Sequence, residues 1–144
     1  MNMHANLGKL NTLFASFDQR VRPVTKRIRT MLIAKKLRLT PSPPQELIDK
    51  EMEEFTNRIL PMLNDQLQDK LYFCGQVITG YDLQVFCELN SIRTFAQELV
   101  EDVMKEHANL VAWNKRIDMI PEVREKEQEF RIQAKQMLQD GVQP

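Results

Sequence analysis

The sequence contains little of several residue types that particular protein classes need. It has two cysteines in 144 residues, and these form neither a CxxC pair nor a disulfide framework. We interpret Cys74 and Cys87 as reduced thiols, with a disulfide between them as the less favoured alternative. Only four glycines are present, and none forms a glycine-rich phosphate loop. Neither His4 nor His107 lies at metal-ligand spacing from a cysteine or carboxylate, so no metal site is predicted.

The chain also lacks a net charge and a long apolar run. Lysine plus arginine and aspartate plus glutamate each total 20, which argues against a dedicated nucleic-acid-binding protein. No apolar stretch approaches the roughly 20 residues of a membrane span. The first ten residues lack a signal-peptide core and match a transit peptide poorly. We therefore expect a cytoplasmic, reducing location and no transmembrane segment.

The charges that are present are unevenly distributed. Residues 1–50 contain ten Lys and Arg against three Asp and Glu, whereas residues 51–144 contain ten against seventeen. The favoured explanation is that oppositely charged helices of one bundle pack side by side. The alternative is a basic face that binds an acidic partner. Its candidate residues are Arg20, Arg22, Lys26, Arg27, Arg29, Lys35, Lys36 and Arg38.

Apolar residues spaced three and four apart predict a chain of helices. The first seam runs from Leu7 to Met31, and Pro23 is expected to kink that helix near residues 19–22. The segment TPSPP, residues 40–44, ends it, and a second long helix follows with Pro61 near its end. No strand pattern is present.

The segment after these helices has a well-defined start signal. Thr79 is a good N-cap, and Asp82 three residues later completes a capping box. Ile78 and Leu83 flank it as a hydrophobic staple. Apolar residues on several faces predict a central helix that continues to Val103, with Cys87 as a small buried hydrophobe. Because no water reaches a buried helix start, the chain itself must supply partners for the first-turn amides.

Two further helices complete the prediction. One spans residues 107–120 and contains Trp113, and the other begins at Pro121, a residue permitted in the first turn. Gly141 is expected in a terminating turn or a loose tail. We therefore predict an all-α, five-helix bundle formed by a single domain, residues 1–140, with a short tail at 141–144.

Two segments resemble a known family. The stretch LYFCGQVITGYDL, followed at the right distance by HANLVAWNKRIDMIPEVREK, resembles the C-terminal domain of glutathione transferases. The first helix, HANLGKL onward, is most similar to the theta class. The resemblance implies that the matching residues serve folding and packing: Ile78, Thr79, Asp82 and Leu83 as capping box and staple, and Trp113 as a packing anchor.

The resemblance also implies what to expect of activity. In that family a thioredoxin-like N-terminal domain carries the catalytic residue and nearly all glutathione contacts, and this chain matches no such domain. No catalytic residue and no cofactor are therefore expected, with glutathione binding only alongside a thioredoxin-like partner domain. The expected function is a non-catalytic protein-interaction module, a structural or adaptor subunit of a larger assembly. The alternative is a C-terminal fragment or split half of a theta-like glutathione transferase.

Partners are expected to be proteins, either acidic or thioredoxin-like. The resemblance also implies a possible homodimer through the first two helices. Finally, we expect the first helix to offer a partner the apolar surface that the thioredoxin-like domain covers in the complete enzymes.

Overall fold

The computed structural model describes the backbone of residues 3–142 and the side chains of residues 8–141. Within this part of the chain there are six helices and, instead of strands, one isolated bridge between Tyr72 and Gly75. The helices are α1 (residues 3–36), α2 (residues 45–66), α3 (Gly80–Phe95), α4 (Gln97–Met104), α5 (Ala108–Asp118) and α6 (Pro121–Val142). The predicted all-α bundle is confirmed, with six helices instead of five.

Both long N-terminal helices contain a π-helical turn just before a proline. In α1 the turn is Phe17–Val21, where the Arg22 amide donates to the Phe17 carbonyl. In α2 it is Phe55–Ile59, two residues before Pro61. A proline lacks an N–H group, and its ring presses on the carbonyl four residues earlier. A π turn widens the helix at that point, so the disturbance expected near each proline takes this form.

The predicted helix from Gly80 to Val103 is wrong, because it divides at Ala96. Ala96 has the non-helical angles φ −151° and ψ 55°, so α3 ends at Phe95 and α4 begins at Gln97. Near this end the Thr94 hydroxyl donates to the Asn90 carbonyl at 2.8 Å. Such local side-chain bonds bend helices slightly and compete with the backbone ladder, which is consistent with a break near this position.

Helix α3 lies at the centre of the bundle and packs against α1, α4, α5 and α6. Four residues of the apolar seam of α1 are buried in this core, namely Phe17, Val21, Val24 and Ile28. Leu10, Phe14 and Met31 are partly buried against it. None of the large exposed apolar side chains belongs to the described part of α1. The expected apolar partner surface on the first helix stays a prediction, since Leu7 of the seam lies outside the described side chains.

Helix α6 is the least buried of the long helices. Ala134 is its only buried residue among those described, while Phe130, Ile132 and Met137 are exposed. The helix continues through Gly141 to Val142, beyond the turn expected at Gly141. A Cβ at Gly141 would overlap the Leu37 Cδ2 atom, so a larger residue there would require the Leu37 side chain to move. The division into a domain at 1–140 and a tail at 141–144 stays a prediction.

No helix between residues 3 and 142 combines the length and apolar character that crossing a membrane requires.

Candidate functional site

The Asp82 carboxylate is fully buried at the start of α3 and accepts four hydrogen bonds. Its Oδ2 atom accepts from the Thr79 amide at 2.9 Å and from the Thr79 hydroxyl at 3.0 Å. Its Oδ1 atom accepts from the Phe73 amide at 3.0 Å and from Trp113 Nε1 at 2.9 Å. The structure thus contains the capping box, and the same carboxylate also ties the preceding loop and α5 to the helix start. With its acceptor sites engaged, this group is a structural hub.

Trp113 is fully buried beside this carboxylate. Its ring meets Phe73 edge to face, with centroids 5.1 Å apart, and Phe86 at 6.3 Å. Tyr81, next to Asp82 in sequence, extends the aromatic contacts to Phe73 at 5.2 Å and onward to α1. Edge-to-face pairs of this kind add to the stability gained from burial. The Trp113 side chain therefore lies where three parts of the chain meet.

The two residues predicted to flank the capping box differ in environment. Ile78 is half-buried and packs against the core. Leu83 is 40% exposed and lines a surface groove. The expectation that Leu83 contributes to a core-facing helix surface is wrong, because the face of α3 on which it lies is only partly covered by α6.

The sequence analysis missed a second polar tie, between α2 and the start of α5. The Asn64 Oδ1 atom accepts from the Leu110 amide at 3.1 Å, and Asn109 Nδ2 donates to the Asn64 carbonyl at 3.3 Å. Asn64 thereby satisfies a first-turn amide of α5 from another helix. Asn109 in the HANL segment was a sequence signal for this tie, but its partner Asn64 lies 45 residues away in sequence.

Half of the candidate basic face is engaged inside the molecule. Arg27 forms a bidentate pair with Glu51 of α2, at 2.8 and 3.2 Å. Arg29 donates to Glu88 of α3 at 3.2 Å and to the Ser91 hydroxyl at 3.1 Å. Arg22 pairs with Asp18 at 3.1 Å and approaches Glu88 at 3.8 Å, and Lys35 donates to the Gln45 side chain. The pairs of Arg27 with Glu51 and of Arg29 with Glu88 are those expected if oppositely charged helices pack side by side, whereas the Arg22–Asp18 pair lies within α1.

The other four basic residues are exposed. They make no ion pair with any residue whose side chain the structure describes, and they are Arg20, Lys26, Lys36 and Arg38. Three of them are on α1, and Arg38 follows its end with φ 55°. Positive charge without an internal counter-ion is thus spread over roughly 25 Å of α1.

The two cysteines are free and differ from prediction in one respect. Cys74 is half-buried, and Cys87, predicted to be buried, is exposed in the groove between α3 and α6. Partial burial of its thiol raises the pKa of Cys87, and the nearby Glu88 and Glu127 carboxylates raise it further. At neutral pH the thiol is therefore held in its protonated, weakly nucleophilic form.

Of the two histidines, only the side chain of His107 is described. His107 precedes α5 as its N-cap residue and makes no side-chain cap bond. The side chain of His4 lies outside the described residues. Among the described side chains, no three His, Cys, Asp or Glu residues are placed to hold a metal ion together. The prediction that no metal is bound stays a prediction.

A groove that the sequence did not reveal runs between α1, α3 and α6. Its larger compartment has a volume of about 530 Å³ and a mainly apolar wall. A second compartment of about 380 Å³ continues along α6 and shares Arg29, Ser91 and Phe130 with the first. Incomplete packing of α6 on α3 leaves this space, and because it depends on tertiary spacing, helical periodicity could not indicate it.

Glu127 of α6 is a carboxyl at the groove whose pKa is raised. Burial raises its pKa, a hydrogen bond with Asp118 raises it further, and Arg131 acts in the opposite direction. Arg131 is its ion-pair partner at 2.5 Å. The half-buried Arg93 guanidinium lies close enough to interact with Glu127, and partial burial lowers the pKa of Arg93. This end of the groove is a compact network of charges between α3, α5 and α6.

The comparisons with known proteins agree with this architecture. A family model described as "Glutathione S-transferase, C-terminal domain" matches residues 56–117, from the π turn of α2 to the end of α5. No curated protein and no solved structure matches the chain. The matched region contains Asn64, Thr79, Asp82 and Trp113, whose hydrogen bonds join α2, α3 and α5. Residues 56–117 are therefore similar to the C-terminal domain of glutathione S-transferases.

Proposed function

We propose that this domain is a non-catalytic protein-interaction module, a structural or adaptor subunit of a larger assembly. The observation that supports it best is the set of exposed basic residues along α1 that lack an ion-pair partner among the described side chains. The polar groups of the family motif are, in contrast, engaged with one another inside the fold. The proposal assigns binding to the basic surface and stability to the buried motif.

The chemistry of that surface favours an acidic protein partner. Arginine and lysine side chains free of internal carboxylates can pair with a partner's Asp and Glu residues and accelerate encounter by electrostatic steering. The described part of α1 offers no large exposed apolar residue that would suit an obligate hydrophobic interface there. Such an interface is salt-dependent, with weaker association at high ionic strength.

The test is the native mass of this protein in a gentle lysate of its source cell, with the co-migrating chains identified. A large assembly that loses the protein when Arg20 and Lys26 are both changed to Glu supports the proposal. Lys105, just after α4, and Lys135 of α6 are exposed and provide the control double Glu variant with the same change in net charge. Assembly that is equally insensitive to both double variants would contradict the basic-surface assignment.

A second candidate follows from the family match. The matched model describes the C-terminal domain of a transferase, so the chain could instead supply that half of a theta-like enzyme. Glutathione would then bind only with a thioredoxin-like partner. In the same lysate experiment this candidate predicts a small complex that contains a thioredoxin-like chain. A homodimer through α1 and α2 would appear there as a species of twice the monomer mass.

A further inference from the structure

The groove between α1, α3 and α6 has an acidic end. Glu122 lines its larger compartment, and Glu125 lies about one turn further along α6. Both side chains are exposed, and neither forms an ion pair with any described side chain. The acidic end, Glu122 and Glu125, thus carries negative charge without a counter-ion among the described residues.

The opposite end of the groove is basic. Ile33 of α1 and Met137 of α6 line the second compartment, and the Leu37 side chain lies against the end of α6. Lys36 and Arg38, the neighbours of Leu37 in sequence, are exposed and form no ion pair with a described side chain. Lys36 follows Ile33 by three residues, so it lies on the face of α1 that borders the groove. Lys36 and Arg38 form the basic end.

Apolar side chains occupy the length between these two ends. Leu83, Phe130 and Met137 line the groove and are 40%, 42% and 44% exposed. From Glu122 to Met137 the helix α6 extends about 22 Å. An elongated, partly exposed apolar surface with charged ends has the layout of a protein interface, with an apolar centre and a polar rim.

The charged residues along the middle of the groove are paired within the molecule. The pairs are Arg29 with Glu88, Lys126 with Glu129 and Arg131 with Glu127. The charges that lack a partner among the described side chains are therefore at the ends of the groove, and the two ends differ in sign.

We propose that this groove is the centre of a dimer interface between two copies of the chain, in which the basic end of each copy contacts the acidic end of the other. In a two-fold dimer every contact between two different residues occurs twice, so both pairs of ends are neutralised together. A purely acidic or purely basic partner would match only one end. The formal net charge of zero also allows two copies to approach without overall repulsion.

The dimer is separate from the proposed binding of an acidic partner. It uses Lys36 and Arg38 at the end of α1 and leaves Arg20 and Lys26 exposed. The lysate experiment changes Arg20 and Lys26, whereas the test of the dimer uses the purified chain and other residues. Failure of one proposal is therefore distinguishable from failure of the other.

The experiment is sedimentation velocity of the purified full chain over a range of concentrations. We expect a reversible equilibrium between monomer and dimer. Because salt screens the ion pairs at the two ends, the dimer dissociation constant should rise about tenfold between about 50 mM and about 500 mM NaCl.

Two double variants test the pairing of the ends. One combines Lys36→Glu with Arg38→Glu, and the other combines Glu122→Lys with Glu125→Lys. Each should weaken its own dimer at least about tenfold, because like charges then face each other across the interface. An equimolar mixture of the two should form a dimer again, since each altered end meets an opposite charge on the other variant.

Matched controls place the same charge changes elsewhere. Lys105→Glu with Lys135→Glu controls for the first double variant, and Glu53→Lys with Glu98→Lys controls for the second. All four positions are exposed and none lines the groove. Both controls should dimerise as the natural sequence does.

A measurement on the unaltered chain guards against variants that fail to fold. Carbodiimide cross-linking of mixed ¹⁴N and ¹⁵N chains should join Lys36 of one isotope to Glu122 or Glu125 of the other. A chain that stays monomeric at low salt overturns the proposal. So does a dimer that either double variant leaves intact, a mixture that does not form it again, or the absence of these mixed-isotope cross-links.

Discussion

At the scale of single residues, the buried Asp82 carboxylate accepts more hydrogen bonds than a helix cap requires. A helix cap requires only the Thr79 amide as donor, yet Asp82 also accepts from the Phe73 amide and the Trp113 indole. The four donors come from the preceding loop, the cap residue and α5. Removal of the carboxylate would therefore leave buried N–H groups in three places without an acceptor.

We expect Asp82→Ala to lower the free energy of unfolding by about 3–5 kcal/mol, because several buried donors lose their partner at once. Asp82→Asn keeps one acceptor oxygen but directs an NH₂ group toward existing donors, so a loss of about 1–3 kcal/mol is expected. Urea unfolding followed by circular dichroism measures both. The control is Asp102→Ala, an exposed pair with Lys105, which should change stability by less than about 1 kcal/mol. An Asp82→Ala variant as stable as this control would contradict the hub assignment.

The raised pKa of Glu127 predicts that the contribution of this residue to the free energy of unfolding depends on pH. Because the folded-state pKa lies above the ordinary value of 4.5, the folded protein binds this proton more tightly than the unfolded chain does. That contribution to stability is complete below the unfolded pKa and is lost as pH rises through the folded pKa. Glutamine resembles the protonated side chain. We therefore expect the stability of the natural sequence to fall relative to Glu127→Gln as the pH rises above about 4.

Unfolding free energies at several pH values between 4 and 7 check this trend. Glu125→Gln, at an exposed position of the same helix, controls for the loss of one negative charge. A difference between the natural sequence and Glu127→Gln that stays constant, or that changes in the opposite direction, would show that burial does not dominate at Glu127.

At the scale of helices, α1 forms ion pairs with α2 and α3 that differ in how far they are exposed to solvent. The Glu88 side chain of α3 is largely shielded from solvent. It accepts a hydrogen bond from the Thr25 hydroxyl at 2.9 Å and pairs with Arg29 at 3.2 Å. Thr25 itself is fully buried. The Arg27–Glu51 pair to α2 is bidentate, but its arginine is more than half exposed. Solvent screening weakens the second attachment more than the first.

Double-mutant cycles should separate the two attachments. We expect a coupling of about 1.5–3 kcal/mol between Thr25 and Glu88, since the bond joins a buried hydroxyl to a charged acceptor. For Arg27 and Glu51 we expect less than about 1 kcal/mol, as for other exposed pairs. Thr25→Val and Glu88→Gln, singly and together, make the first cycle. Equal couplings in the two cycles would show that burial does not govern these contacts.

Helix α6 should be the first long helix to open. Its described part buries one residue, and a groove separates much of it from α3, whereas α3 is buried along most of its length. Few buried contacts imply a low free energy of local opening. Native-state hydrogen exchange should show amides of residues 124–138 exchanging faster than those of residues 84–93. The opposite order would indicate that α6 packs more tightly than its burial suggests.

At the scale of the whole molecule, ion pairs within the fold join the basic N-terminal part of the sequence to the acidic remainder. Basic residues of α1 pair with Glu51 of α2 and Glu88 of α3, so part of the sequence asymmetry disappears on folding. What remains is an exposed set on α1, to which we assign the binding role. Activity is a separate matter, since a shared fold does not transmit catalysis.

We expect the purified chain alone to give no glutathione conjugation above the uncatalysed rate. The described polar motif is engaged in folding, and the exposed Cys87 thiol is held protonated by its raised pKa. The assay uses glutathione with 1-chloro-2,4-dinitrobenzene at neutral pH, and Cys87→Ser tests any residual thiol reactivity. Turnover that survives in Cys87→Ser would contradict the non-catalytic proposal.

Local signals in the sequence were sufficient for the elements whose causes are local. Helical periodicity, the prolines at 23, 41, 43, 44 and 61, and the Thr79–Asp82 spacing predicted the all-α fold, the first break and the start of α3. These features act within one or two turns of helix, so neighbouring residues determine them. The resemblance to a glutathione transferase C-terminal domain likewise depends on short segments.

Only the tertiary structure decided the features that depend on distant residues. The break at Ala96, the exposure of Leu83 and Cys87, and the Asn64 tie to α5 follow from how helices pack against one another. The same is true of the division of the basic residues into paired and unpaired sets, and of the groove below α6. Sequence periodicity shows which face of a helix is apolar. It does not show how closely another helix covers that face, because coverage is set by contacts between residues far apart in the chain.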